Sequence, residues 1–105
     1  MAVAKTDIFN STDRELADMA KAMAHPARIQ ILRLLNDRNQ CIVGDLVDVL
    51  PLSQSTVSQH LKELKRVGLI RGEIEGPRTC YCLNESVMEK AKSAFTRLFS
   101  TMKCC

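Results

Sequence analysis

Residues 53–83 carry the most restrictive pattern in the chain: a short amphipathic helix with both ends marked, followed at once by a change of period. Ser53 is an N-cap residue type, and Val57, Leu61 and Leu64 recur at i, i+4 and i+7, which places them on one helical face. Gly68 stands just past Arg66, where a left-handed residue closes a helix. Beyond it, Leu69, Ile70 and Ile74 sit in a short polar-interrupted run, and Glu75-Gly76-Pro77-Arg78 has turn chemistry. Thr79 to Leu83 then alternates, so the pattern predicts a two-stranded hairpin directly behind the helix.

Upstream, Thr12 and Glu15 have capping-box spacing, and Leu16, Met19, Ala20 and Met23 form an apolar stripe, predicting a helix that opens at Thr12. His25-Pro26 ends it and starts a second helix carrying Ile29, Ile31, Leu32, Leu34 and Leu35. Ile42 to Leu50 reads as a two-turn third helix closed by Pro51. A last helix runs from about Glu85 towards Lys103, with Val87, Met88, Ala91, Ala94, Phe95, Leu98, Phe99 and Met102 on one broad face. The order is α-α-α-α-β-β-α, a mainly α fold with a small β-hairpin wing. Residues 1–11 are expected to be a flexible N-terminal arm, and 12–105 one domain. A chain of 105 residues buries a modest core, so a second subunit is expected to cover the last helix.

The Leu50-Pro51-Leu52-Ser53 turn joins two short helices into a helix-turn-helix candidate. The outer face of the second helix presents Gln54, Ser55, Thr56, Ser58, Gln59 and Lys62, with no acidic residue at its N-terminal end. A helix N-terminus offers free N–H groups and a positive dipole to phosphate, and Gln makes bidentate contacts with adenine. Arg71 on the first strand and Arg78 at the turn suit phosphate or minor-groove contact. Ser53, Gln54, Ser55, Thr56, Ser58, Gln59, His60, Lys62, Arg71 and Arg78 are therefore the candidate DNA contacts. A solvated polar face is the plainer reading of an isolated Ser/Gln-rich helix, but helix, turn, helix and wing in that order are far more specific. The net charge of +3 is compatible with a nucleic-acid partner without requiring one. With three Phe, one Tyr and no Trp, stacking on single strands is disfavoured and no RNA partner is expected. No nucleophile–base–acid set and no phosphate-cradling Gly loop is legible, so an enzyme is not expected. Without a leader-like segment or a long apolar run, a cytoplasmic location off the membrane is expected.

Three segments resemble one known family. Ala24-His25-Pro26-Ala27-Arg28-Ile29-Gln30-Ile31-Leu32 resembles the opening of ArsR/SmtB-type repressors, and Leu52 to Leu64 resembles their recognition-helix signature. Gly68-Leu69-Ile70 and Arg78-Thr79-Cys80-Tyr81-Cys82-Leu83 resemble the two ends of their wing. The resemblance implies a winged helix-turn-helix protein that binds double-stranded operator DNA. It implies a homodimer formed through the first and last helices, here through Leu16, Met19, Val87, Ala91, Phe95, Leu98, Phe99 and Met102. It also implies repression relieved by a metal, a metalloid or a thiol-reactive signal.

The family's best-known metal sites do not carry over. A Cys-x-Cys pair in the third helix would fall at Ile42 and Gly44, and residues 85–105 contain no His for a last-helix site. His25 and His60 are expected to be caps or backbone contacts rather than ligands. Five cysteines remain, expected to be reduced thiols: Cys41, best read as a buried structural thiol, then Cys80, Cys82, Cys104 and Cys105. On a strand Cys80 and Cys82 share a face, opposite Tyr81 and Leu83, which are expected in the core, so both thiols are expected outside. Clustered soft thiolates suit trivalent arsenic or antimony, or another thiophilic metal. The expected inducer site is Cys104 and Cys105, completed by Cys80 or Cys82 of the partner subunit. A last helix of about 20 residues, ~30 Å long, separates the two pairs within one chain. DNA binding itself requires no cofactor. Two alternatives stay open: a thiol-redox or persulfide switch on the same fold, and a winged-helix protein-interaction module that does not bind DNA.

Overall fold

The computed structural model describes residues 8–38, 42–43, 50–75 and 78–105. Helix α1 (Ser11–Ala22) packs against α4 (Glu85–Ser100), and α2 (Pro26–Arg38) lies under α3 (Gln54–Arg66). Strands β1 (Ile42–Val43), β2 (Ile70–Glu75) and β3 (Arg78–Leu83) form one antiparallel sheet in the order β1-β3-β2. The hairpin register runs from Ile70 opposite Leu83 to Glu75 opposite Arg78, and β1 joins with Ile42 opposite Tyr81 and Val43 opposite Cys80.

Helix ends follow from local hydrogen bonding. Asn10 caps α1, its Oδ1 accepting the Asp13 N–H at 2.7 Å, so the helix starts at Ser11 and not on Thr12 as the spacing predicted. An Asn carboxamide caps as well as a Thr hydroxyl, and its placement decided the competition. Pro26 opens α2 with His25 as its cap: the imidazole Nδ1 accepts the Ala27 N–H at 3.0 Å. Asn84 caps α4, and its own N–H donates to the Leu69 carbonyl at 2.9 Å, tying that helix to the start of β2.

Gly68 closes α3 with φ at +84°, a left-handed conformation that costs glycine nothing. Its N–H donates to Lys65 O at 3.0 Å and the Leu69 N–H donates to Leu64 O at 3.2 Å. These two bonds make a Schellman motif that satisfies the last carbonyls and turns the chain into the sheet. The core gathers Ile31, Leu32 and Leu35 of α2, Leu50, then Val57, Leu61 and Leu64 of α3, with Leu69, Ile70 and Ala91. Tyr81 and Leu83 pack half-buried against it, as strand alternation predicted.

Two expectations are corrected. Ile42 and Val43 are strand, not the start of a helix, because the backbone of β3 is free to pair there and both residues favour strands. The rest of the predicted third helix, residues 44–49, lies outside the described residues. The last helix stops at Ser100 with Thr101 as its C-cap, giving 16 residues rather than about 20. The hydroxyls of Ser100 and Thr101 donate back to Arg97 O and Leu98 O, which competes with continued helix. Cys104 and Cys105 therefore follow the helix rather than extend it. Among the described residues, no helix is long and apolar enough to cross a membrane.

Candidate nucleic-acid interface

Helix α3 buries Val57, His60, Leu61 and Leu64 and leaves Gln54, Ser55, Ser58, Gln59 and Lys62 exposed. At its N-terminus the Ser53 Oγ accepts the Thr56 N–H at 3.3 Å. The same hydroxyl lies 2.9 Å from Thr56 Oγ1 and 3.2 Å from Ser55 Oγ, so three of the candidate side chains are already linked to one another. The first turn of α3 carries no acidic residue, and Lys65 and Arg66 fill its last turn. The N-terminal dipole and its N–H groups therefore face solvent without a competing carboxylate. Arg71 is exposed on β2, while Arg78 starts β3 opposite Glu75 on the other arm of the hairpin. The helix preceding the Leu50-Pro51-Leu52-Ser53 turn lies outside the described residues, and the turn itself buries Leu50 and half-buries Leu52.

His60 is corrected: it points inward, with 8% of its surface exposed. It follows Val57 by three residues and precedes Leu64 by four, so helical geometry puts it on the buried stripe. Its Nδ1 accepts from Arg28 Nε at 3.0 Å, and its ring centroid lies 4.4 Å from that of His25. Burial holds the imidazole below its ordinary range, reinforced by His25 and Arg28 nearby. Arg28 was not singled out as a functional residue by the sequence, although it lies in the family-like opening segment. Its Nη1 also donates to Ala22 O at 3.1 Å and Lys21 O at 3.3 Å, the C-terminal carbonyls of α1. At the far end of α3, Arg66 makes a two-pronged pair with Asp18 of α1 at 2.9 and 3.0 Å and contacts Glu63 at 2.7 Å. Hydrogen bonding to Arg66 lowers the Asp18 and Glu63 pKa values from their usual carboxylate range.

The cysteines divide differently from the sequence expectation. Cys80 is 3% exposed and disulfide-bonded, so it is neither an outward thiol nor a reduced one. It sits mid-strand in β3 with Val43 on one side and Glu73 on the other, a position that the third strand encloses. Cys82 is free and half-buried, with Arg71 Nη2 3.9 Å from its sulfur. Cys104 and Cys105 are free and exposed, and Cys41 lies outside the described residues. Among the described residues, no group of three or more His, Cys, Asp or Glu side chains is placed to hold a metal.

Of the residues expected at a dimer contact, Leu16, Met19, Val87 and Phe95 are half-buried and Ala91 is buried. Leu98, Phe99 and Met102 stand in solvent, Phe99 with 67% and Met102 with 56% of their surfaces exposed.

A capped helix presenting polar side chains, a tight turn before it and an antiparallel hairpin after it define a winged helix-turn-helix fold. The chain belongs to the arsR family of bacterial regulatory proteins, whose family model matches residues 25–71. It is 40% identical over 81 residues to the transcriptional activator HlyU of Vibrio cholerae, covering 77% of this chain and 74% of the relative. It is 43% identical over 74 residues to the transcriptional repressor SmtB of Mycobacterium tuberculosis, covering 67% of this chain. It spans about half of that repressor's length, 54%. A solved structure of Vibrio cholerae HlyU matches with a TM-score of 0.68 at 33% identity, covering 89% of this chain and 100% of the other. These relatives are transcriptional regulators, and the family is not one of enzymes.

Proposed function

We propose that this regulator is a homodimeric repressor that reads operator DNA with the exposed face of α3 and is released by chemistry at its C-terminal thiols. The carrying observation is that face: Gln54, Ser58, Gln59 and Lys62 in solvent on a capped helix whose first turn is free of carboxylates. Gln54, Ser58 and Gln59 read base edges, while Ser53, Ser55 and Thr56 orient the helix N-terminus on phosphate. Lys62, Arg71 and Arg78 neutralise the backbone on either side. His60 supports this surface from within. Residues 12–105 act as one DNA-binding and dimerising unit behind an N-terminal arm, in the cytoplasm.

Dimerisation uses the apolar residues of α1 and α4. Leu98, Phe99 and Met102 form an exposed apolar run that supports this reading, since a monomer gains nothing by leaving it in water. Cys104 and Cys105, adjacent and free, are the proposed inducer site for arsenite, antimonite or another thiophilic metal ion. Cys82 of the partner subunit is the remaining candidate third ligand, because Cys80 is enclosed in the sheet with 3% of its surface exposed. A second reading, a thiol-redox switch, is favoured by the Cys80 disulfide.

Fluorescence anisotropy of the reduced protein on its own promoter DNA tests these proposals together. Arsenite, antimonite, Zn(II), and peroxide without metal are added to wild type and to the Cys104→Ser/Cys105→Ser variant. Release by arsenite or antimonite that disappears in the variant supports the inducer site, and release by peroxide alone moves the protein to the redox class. Absence of DNA binding by the reduced protein refutes the regulator's proposed reading face.

A further inference from the structure

We propose that Arg28 and His60 are the positioning pair of the DNA-reading helix, and that DNA binding requires His60 to be neutral. The inference rests on α3 being the reading helix. Arg28 stands between three elements: it belongs to α2, donates through Nη1 to the last carbonyls of α1, and donates through Nε to His60 of α3. One guanidinium thus fixes the middle of the reading helix to a neighbouring helix end. His60 directly follows Gln59 and lies two residues before Lys62, so a shift of its imidazole carries the exposed face with it.

The bond has a definite protonation requirement. Nδ1 of His60 is the acceptor, so the neutral ring carries its proton on Nε2. A second proton would go to Nδ1 and point at the Arg28 N–H across 3.0 Å, replacing an attraction by two facing donors. The surroundings offer it little relief. His25 faces the ring from the preceding turn, with its own Nδ1 committed to the Ala27 N–H. Lys21 of α1 and Arg28 of α2 are cationic. Glu63 on the same helix and Asp18 on α1 are both engaged by Arg66. Binding that selects the neutral form weakens as protons are added, by up to about tenfold per pH unit for each engaged reading helix. This sign is opposite to that of a histidine contacting phosphate, where acid strengthens binding.

The chain is well suited to the test because it contains two histidines, and both lie in this cluster. Between pH 5 and 7.5 no other side-chain type ordinarily changes its charge by much. Fluorescence anisotropy on the promoter duplex, at constant ionic strength from pH 5 to 8, compares wild type with His60→Asn, His60→Gln, His25→Asn and Arg28→Lys. Wild type is expected to hold its affinity above about pH 6.5 and lose it progressively below. His60→Asn, whose Oδ1 stands near the place of Nδ1 and does not titrate, keeps most of the affinity at pH 7.5 and flattens the profile. His25→Asn retains the slope, and Arg28→Lys binds at least tenfold more weakly at every pH. An imidazole nitrogen NMR spectrum at pH 7.5 should show His60 protonated on Nε2 alone. A flat wild-type profile, tighter binding in acid, or an unchanged slope in both His60 variants overturns the proposal. Should DNA fail to bind at any pH while His60 shows the Nε2–H tautomer, the error lies in the choice of reading helix, and the positioning role falls with it.

Discussion

Replacing Gly68 with alanine isolates one backbone requirement from everything else that holds α3. The residue sits at φ +84°, and an L side chain there suffers a steric cost of about 1–2 kcal/mol. A Cβ at this position would meet Val87 Cγ2 at 3.4 Å, an ordinary van der Waals contact, so conformational strain supplies nearly all of the expected loss. For a domain of this size each kcal/mol lowers Tm by roughly 4–8 °C, so Gly68→Ala should melt roughly 4–16 °C below wild type. Asn tolerates the left-handed region better and should lose less, whereas Val, with a branched Cβ, should lose most. Urea denaturation followed by circular dichroism, at one fixed protein concentration so that the proposed dimer contributes equally throughout, is expected to give the ranking Gly, Asn, Ala, Val. Adding Val87→Ala should not rescue Gly68→Ala. An alanine variant as stable as wild type, or one fully rescued by Val87→Ala, would refute the strain argument and return the cost to packing.

Leu64 is fully buried, and Leu64→Ala should cost about 2–5 kcal/mol in the same urea assay, since the core around it can collapse only in part. Gln59→Ala should relax discrimination among operator variants by about 1–3 kcal/mol, while Arg78→Ala should weaken all sequences alike and reduce the salt slope by about 1. Phe99→Lys should shift the protein towards monomer in sedimentation velocity while leaving the far-ultraviolet spectrum of the folded chain in place. The pH dependence of stability has a fixed sign. The unfolded chain takes up the His60 proton first, at about 6.5, so the urea midpoint should fall as pH drops through that range and flatten in His60→Asn. Asp18 and Glu63, with lowered pKa values, contribute stability above the ordinary carboxylate range that is lost as pH falls through it.

The elements bounded by residues with a single physical use were legible in the sequence. Pro26 starts α2, Ser53 caps α3 and Gly68 closes it, because each residue type satisfies a backbone demand that few others meet. Ends decided by competition between comparable groups were not. Asn10 outbid Thr12 for the first cap, and the Ser100 and Thr101 hydroxyls stopped α4 short. Ile42 and Val43 are apolar in any setting, and only the neighbouring backbone of β3 makes them strand. His60, one of the expected DNA contacts, lies three residues after Val57 and four before Leu64, and that helical spacing puts it on the buried stripe. Alternation correctly put Cys80 and Cys82 on one face. It carries no information about a third strand, and that strand is what separates an enclosed sulfur from a half-exposed one.

The hydroxyl cluster at the start of α3 has a consequence for how such a protein changes its target. Ser53, Ser55 and Thr56 spend their hydroxyls on one another and on the Thr56 N–H, so those positions are tied to folding the helix end. Gln54, Ser58, Gln59 and Lys62 hold nothing else in place among the described contacts. On the proposed reading face, the side chains open to change are therefore separate from those that build the helix end, and a new operator preference at Gln54, Ser58 or Gln59 is expected to leave the fold that presents them intact.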